Sequence, residues 1–161
     1  MIPPFVPILA AAAVVAAASD VRARRIPNAL TGTLAILGVA VAGTTGGLPG
    51  AGTALATLAI LLAAGTYAFA RGWFGGGDIK LLAAGCCGLE PALAADFLIY
   101  TALCGGLLAL YALASSQRMV TALITRQLPQ TGERLPYAVA AAGGALFLWV
   151  ALLCPVLLLV R

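Results

Sequence analysis

Apolar runs long enough to cross a bilayer dominate this chain. The sequence has 161 residues, of which 63% are hydrophobic and 9% charged, and its mean hydropathy is +1.08. Soluble domains carry about 25% charged residues, so this composition excludes an ordinary soluble fold. A spanning helix needs about 20 apolar residues, which leaves room for about six. We therefore predict an all-α integral membrane protein with one domain over residues 1–161 and no separate soluble domain.

Charged residues and clusters of Gly or Pro divide the chain into six predicted spans. One such cluster, at residues 46–50, separates the second span from the third. The fourth span has eleven residues, which rise only about 16 Å, roughly half the hydrocarbon thickness. We therefore expect Asp78, at its start, to be shallowly buried. The predicted spans are Pro4–Ala18, Ala29–Ala42, Thr53–Ala70, Ile79–Leu89, Phe97–Ala114 and Leu135–Val160.

The distribution of Lys and Arg residues predicts the orientation of the chain in the membrane. With the N-terminus outside, only Arg161 of the nine Lys and Arg residues lies outside, as the positive-inside bias favours. Ala16-Ala17-Ala18 resembles a signal-peptide cleavage site, but no basic residue precedes the apolar run, so we expect a retained helix. We expect a multi-pass protein located in the cell inner membrane. The cations placed inside are Arg22, Arg24, Arg25, Arg71, Lys80, Arg118, Arg126 and Arg134.

The sequence has little from which to build a metal site. It contains no histidine, and none of its four cysteines has the C-x-x-C spacing of zinc sites. All four lie in apolar stretches, where a cysteine acts as a small apolar side chain. We expect no metal and no cofactor. The cysteines are Cys86, Cys87, Cys104 and Cys154.

Two aspartates at the ends of apolar spans, Asp20 and Asp78, carry the main functional signal. An ionisable group at the edge of the hydrocarbon is costly and usually faces protein or a water-filled cavity. Asp20 is followed by a basic loop in which Arg25 and Pro27 lead to Asn28, a predicted N-cap of the next helix. Taken alone, this loop also fits an ordinary basic segment beside a membrane.

Three glycines, Gly75, Gly76 and Gly77, come directly before Asp78 and Lys80. Glycines allow backbone shapes closed to other residues and let a peptide pass close to a carboxylate. A flexible turn with an Asp N-cap would explain the aspartate and one glycine, but not three. We therefore predict a functional loop here.

Two neighbouring carboxyl groups can perform aspartic protease chemistry. They cannot both ionise cheaply, so one acts as base on a water molecule while the other donates a proton to the carbonyl oxygen. The helix N-terminus should favour ionised Asp78. This favours Asp78 as base and Asp20 as acid, in a pair that titrates as a unit, but Arg22 to Arg25 oppose a protonated Asp20 and the sequence leaves the assignment open.

Both segments resemble the aspartate motifs of the type IV prepilin peptidases, intramembrane aspartic proteases of the GxGD type. The resemblance implies that Asp20 and Asp78 are catalytic and that they cleave a prepilin or pseudopilin leader on the cytoplasmic side, after a glycine. It also implies that Gly75, Gly76, Gly77, Lys80, Arg25, Pro27 and Asn28 shape the loops or bind substrate. The matching residues are Asp20, Arg22, Ile26, Pro27, Asn28 and the run from Gly75 to Leu81.

Leu135 to Ala140 is similar to a Pro-Tyr motif in the short, tight-adherence branch of that family. Larger members carry a cysteine-rich zinc region associated with N-methylation of the cleaved pilin. This chain has neither those cysteines nor the space for them. We therefore expect a peptidase without methyltransferase activity.

Two other functions fit parts of the sequence. A small carrier or channel would explain each aspartate, but acids that couple to ions are expected nearer the midplane. Leu128 to Gly132 resembles a sortase sorting signal, although the neighbouring cations place it inside.

The segment from Met119 to Leu128 fits either a short amphipathic helix that lies on anionic lipid or a solvated loop. Its basic face is too small to bind nucleic acid. Membrane lipid is thus an expected partner, and the oligomeric state stays open.

Overall fold

The structure is a computed structural model that describes residues 3–115 and 137–153. Every regular element in these two ranges is an α-helix, which confirms the all-α class. Three segments are long and apolar enough to cross a membrane, namely Phe5–Ala23, Asn28–Ala70 and Pro91–Tyr111, and Ala138–Leu153 is a shorter apolar helix. The helices are α1 (Phe5–Ala23), α2 (Asn28–Ala70), α3 (Gly76–Cys87), α4 (Pro91–Ser115) and α5 (Tyr137–Leu153).

A sharp break at Gly47 divides α2 into two halves. Its φ of 63° and ψ of −153° lie in a region that only glycine adopts readily. The first half runs parallel to α3, because Asn28 at its start bonds Lys80 near the start of α3. Farther along both helices, the Cys87 thiol lies 3.7 Å from the carbonyl oxygen of Ala35.

The second half of α2 runs antiparallel to α3. The start of α3 meets the end of α2, where Gly76 lies beside the ring of Phe69. One turn further along α3, Ile79 contacts Gly65, which lies earlier in α2. Because its halves run in opposite directions along α3, α2 reverses at Gly47. This confirms the break predicted from the glycine cluster.

α3 is the central helix of the described structure. Seven of its twelve residues are buried, in keeping with an apolar helix enclosed by others. Leu9 of α1 and Phe97 of α4 meet at Gly85, where an added Cβ would lie 2.9 and 3.0 Å from their side chains. α5 packs against both α1 and α4. Enclosure by protein removes the need for α3, about 18 Å long, to span the bilayer alone.

Several helix ends differ from the sequence prediction, most clearly those of α1 and α4. α1 continues past Ala18 to Ala23, so Asp20 lies in its last turn rather than at its end. α4 begins at Pro91 rather than Phe97, because proline suits the first helical turn, where its missing N–H has no partner to lose.

Several predicted features lie partly or wholly outside the described residues. The sixth predicted span is described only over Tyr137–Leu153. Met119 to Leu128, the segment from Leu128 to Gly132, and the first two residues of the Pro-Tyr motif fall outside.

Candidate active site

Two hydrogen bonds fold the basic loop back onto the helix turn that carries Asp20. Arg24 has left-handed dihedral angles, with φ 49° and ψ 36°, and its N–H donates to the Asp20 carbonyl oxygen at 2.8 Å. This bond has the form of an αL helix cap. The Ser19 hydroxyl donates to the Arg25 carbonyl oxygen at 2.9 Å. The direction in which the chain leaves Asp20 is therefore fixed at two points.

The prediction that Asn28 caps α2 is wrong, because Pro27 occupies that position. Pro27 is extended, with φ −62° and ψ 130°, and its carbonyl oxygen accepts from the N–H groups of Leu30 and Thr31 at 3.1 and 3.4 Å. Asn28 is instead the first helical residue. Its Oδ1 accepts a 2.9 Å hydrogen bond from Lys80 Nζ, which links α2 to α3.

The glycines before Asp78 provide space for neighbouring groups. A Cβ on Gly75 would lie 2.6 Å from Asp78 Oδ2, and one on Gly77 would lie 3.3 Å from the Cβ of Ile26. Gly76 has only an ordinary contact, 3.6 Å from the Phe69 ring. None of the three has a positive φ, so the expectation of backbone shapes closed to other residues is wrong. Gly75 thus leaves space for the Asp78 carboxylate, and Gly77 lets the two aspartate motifs approach each other.

Asp78 lies in the first turn of α3, outside the candidate membrane-spanning helices. Burial raises the pKa of its carboxyl, and the charge of Asp20 raises it further, to about 6. A hydrogen bond from the Gly75 backbone lowers the pKa of Asp78 and only partly offsets these effects. The helix N-terminus therefore does not lower the pKa of Asp78 below its ordinary value, although a pKa of about 6 still leaves this carboxyl mostly ionised at neutral pH. The two aspartates lie at the same end of the helix bundle, close enough for one to act on the other.

A protein-family comparison identifies the chain. The family model for the type IV leader peptidases matches residues 7–110, which include Asp20 and Asp78 and most of the chain. The chain belongs to the type IV leader peptidase family. No curated protein and no solved structure matches this chain.

A groove lies beside the two segments that contain Asp20 and Asp78. It has a volume of about 290 Å³ and lies between the two halves of α2 and one side of α3. Asn28 and Lys80 form its polar end, while the rest of its wall is largely apolar. The lining residues are Asn28, Thr31, Gly32, Ala35, Leu58, Leu62, Lys80 and Ala84.

The structure places each predicted site residue at one end of the bundle. Asp20 and Asp78 interact, Lys80 bonds Asn28, and Pro27 caps α2, while Arg25 contributes its backbone carbonyl. Sequence reasoning missed Ser19, whose only signal is its position directly before Asp20. Within residues 3–115 and 137–153, no cluster of three His, Cys, Asp or Glu side chains could hold a metal.

Proposed function

We propose that this leader peptidase is an intramembrane aspartic endopeptidase that removes the leader of a prepilin or pseudopilin. The observation that carries the proposal is the effect of Asp20 on Asp78, which raises the pKa of the Asp78 carboxyl. Two carboxyl groups on separate helices must lie this near each other to share one proton. The family match supports a leader peptidase independently of this geometry.

The raised pKa of Asp78 supports a division of roles opposite to that expected from the helix N-terminus. A pKa of about 6 leaves Asp78 ionised in most molecules at neutral pH and protonated in a fraction of them, and this protonated fraction is the form that the proposed mechanism uses. In that form Asp20 acts as the base and takes a proton from a water molecule, whose oxygen attacks the scissile carbonyl carbon. Asp78 gives its proton to the carbonyl oxygen, which forms a neutral tetrahedral intermediate. As the C–N bond breaks, Asp20 returns its acquired proton to the leaving amine, and Asp78 takes a proton from one hydroxyl of the intermediate, which becomes the carboxylic acid product.

The proposed reaction takes place at the cytoplasmic face of the inner membrane, with the N-terminus outside. The expected cleavage site follows a glycine that precedes the apolar segment of the substrate. The proposal also includes membership of the short, tight-adherence branch and an unmethylated product. The distribution of Lys and Arg supports this orientation, because the positive-inside bias places both aspartate segments in the cytoplasm.

Co-expression with a candidate prepilin tests the proposal, with leader removal scored as a mass shift at the glycine. Asp20→Asn and Asp78→Asn should each abolish cleavage. Glu90→Gln is the matched control, because Glu90 is an exposed acid beyond the opposite end of α3 and should retain it. Cleavage by either Asn variant would overturn the two-aspartate mechanism. A carrier or channel would process nothing even with its native sequence.

A further inference from the structure

An exposed aromatic segment, residues 67–74, lies directly before the glycines of the candidate active site. Its four aromatic side chains have exposed fractions of 58% for Tyr67, 55% for Phe69, 67% for Trp73 and 38% for Phe74. Arg71 lies among them and is exposed as well. Neither a buried core nor a simple polar loop explains this combination of large aromatic rings and a cation.

Arg71 and Tyr67 form a single amphipathic unit within the aromatic segment. Arg71 Nη2 donates to the Tyr67 hydroxyl at 2.7 Å, and its guanidinium carbon lies 5.1 Å from the ring centroid. The cation is thus held over an aromatic face. Such a unit presents an apolar body together with polar, positively charged groups.

The backbone of the aromatic segment is fixed by a Schellman motif. Gly72 has a φ of +74°, its N–H donates to the Phe69 carbonyl at 2.9 Å, and the Trp73 N–H donates to the Ala68 carbonyl at 3.1 Å. This pair of bonds defines how the chain leaves α2. Since Trp73 is only two residues from Gly75, its position is closely coupled to that of the glycine motif.

The Phe69 ring provides a second link between the aromatic segment and the site. It lies beside Gly76, where an added Cβ would be 3.6 Å from Phe69 Cε2. Displacement of the aromatic segment along the bundle axis would therefore carry the first turn of α3 with it. That turn contains Asp78.

We propose that the aromatic segment binds the phospholipid headgroup layer and sets the depth of Asp78 in the membrane. The second half of α2 exposes apolar side chains such as Leu55 and Ile60, which suit hydrocarbon, before the chain reaches Tyr67. This order matches the change from acyl chains to headgroups. Trp and Tyr favour that boundary, and the cation of Arg71 complements anionic lipid phosphates.

The two tryptophans of the chain allow a direct test without substrate. Trp149→Phe leaves Trp73 as the only tryptophan, whereas Trp73→Phe leaves Trp149, in the apolar helix Ala138–Leu153. Each full-length variant is reconstituted in phosphatidylcholine vesicles containing spin-labelled lipid, with the label at the headgroup or deep in the acyl chain. Trp73 should be quenched more strongly by the headgroup label, and Trp149 by the deep label.

Two results would overturn the proposed binding of the aromatic segment to the headgroup layer, and a third would exclude Arg71 from it. Strong quenching of Trp73 by aqueous iodide and by neither lipid label would identify a solvated loop or a surface for a soluble partner. Stronger quenching of Trp73 by the deep label would place the segment in hydrocarbon. The role of Arg71 is tested with vesicles that also contain phosphatidylglycerol, an anionic lipid. This lipid should increase quenching of Trp73 by the headgroup label, and Arg71→Gln should remove the increase. An increase that persists in Arg71→Gln would exclude lipid binding by Arg71.

The effect of the aromatic segment on cleavage rests on the proposed function. Failure of this effect can be distinguished from failure of headgroup binding by the segment. Trp73→Ala should slow cleavage of a membrane-inserted prepilin, while Trp73→Tyr should preserve it because tyrosine also favours the interface. If Trp73 lies at headgroup depth and Trp73→Ala cleaves at the normal rate, the proposed control of Asp78 depth is wrong. If the native protein cleaves no prepilin, quenching of Trp73 by labelled lipid still decides whether the aromatic segment binds the headgroup layer.

Discussion

Lys80 donates a 2.9 Å hydrogen bond to the Asn28 side chain, joining the helix that follows Asp20 to the helix that contains Asp78. The two residues lie at the polar end of the same groove. This bond connects the two aspartate segments through α2 and α3, in addition to the contact between Gly77 and Ile26.

Loss of the Asn28–Lys80 bond should lower the stability of the folded protein. Asn28→Ala and Lys80→Met should each lower the free energy of unfolding by about 0.5 to 1 kcal/mol, since the bond is exposed to solvent. Because each variant removes the same bond, the double variant should cost less than the sum of the two. Chemical denaturation in micelles measures the coupling. Fully additive losses would contradict a bond between these side chains in the folded protein.

Gly75→Ala should impair cleavage far more than Gly76→Ala. A methyl group at Gly75 would lie 2.6 Å from Asp78 Oδ2 and must displace the carboxylate, whereas one at Gly76 makes an ordinary contact with Phe69. Misplacement by about 1 Å can cost about 100-fold in rate. Initial rates of leader removal, normalised to the amount of folded enzyme, provide the comparison. Equal rates for the two variants would contradict the role of this close approach.

Asp78→Asn should stabilise the protein at neutral pH, although it should abolish cleavage. The pKa of Asp78 in the folded protein is about 6 and its ordinary value is 3.8, so the native state binds the proton more tightly. Native stability is therefore lost as the pH rises from about 4 to about 6, and the substitution removes this loss. The gain above pH 6 should be on the order of 1 kcal/mol, because the carboxyl is only partly buried.

Thermal unfolding followed by tryptophan fluorescence tests the Asp78→Asn stability prediction. The difference between this variant and the native protein should be greater at about pH 7.5 than at about pH 4. Glu90→Gln serves as an exposed-acid control. A stability difference independent of pH would indicate that the substitution acts through packing or hydrogen bonding rather than through the charge of Asp78.

The break in α2 should tolerate alanine at Gly46 but not at Gly47. Gly47 has φ 63° and ψ −153°, and forcing another residue into such a conformation costs about 1 to 3 kcal/mol. A Cβ on Gly46 would meet nothing within 4 Å. Unfolding midpoints of Gly47→Ala and Gly46→Ala in the same detergent test this difference. Equal midpoints would contradict the special backbone requirement at Gly47.

A matched pair in the first half of α2 tests its packing on α3. Gly38→Ala would place a Cβ 2.7 Å from Cys87 Sγ and 3.0 Å from the Gly88 nitrogen, so we expect a loss of about 1 to 3 kcal/mol. Gly32→Ala meets nothing within 4 Å and should be neutral or stabilising. Adding Cys87→Ala to Gly38→Ala should relieve part of the loss. Calorimetric stability provides the measurement, and equal effects of the two single variants would contradict this packing.

The all-α class and the break in α2 were predictable because both depend on local sequence. Apolar runs require helices in a membrane, since a helix satisfies its backbone hydrogen bonds internally. The glycine cluster around Gly47 marked the reversal, although the particular glycine and its dihedral angles were not predictable from composition. The aspartate segments were recognisable for the same reason, because each is a short run of residues around Asp20 or Asp78.

Features that depend on contacts between helices were not predictable in the same way. Asn28 has the chemistry of an N-cap, but Lys80, distant in sequence, binds its side chain. The pKa of Asp78 rises because burial and Asp20 outweigh a local hydrogen bond. Gly77 provides space for Ile26 from another segment. In each case the deciding neighbour comes from a different part of the chain.

The reversal at Gly47 also makes the relative placement of Asp20 and Asp78 independent of the direction in which the chain enters a membrane. α2 leaves the loop after Asp20 and returns to the loop before Asp78 at the same end of the bundle. An inverted insertion of the entire protein would carry both carboxyl groups to the other compartment together. The direction of insertion thus selects which compartment has access to the two carboxyl groups, while the hairpin formed by the two halves of α2 keeps them on the same side of the membrane.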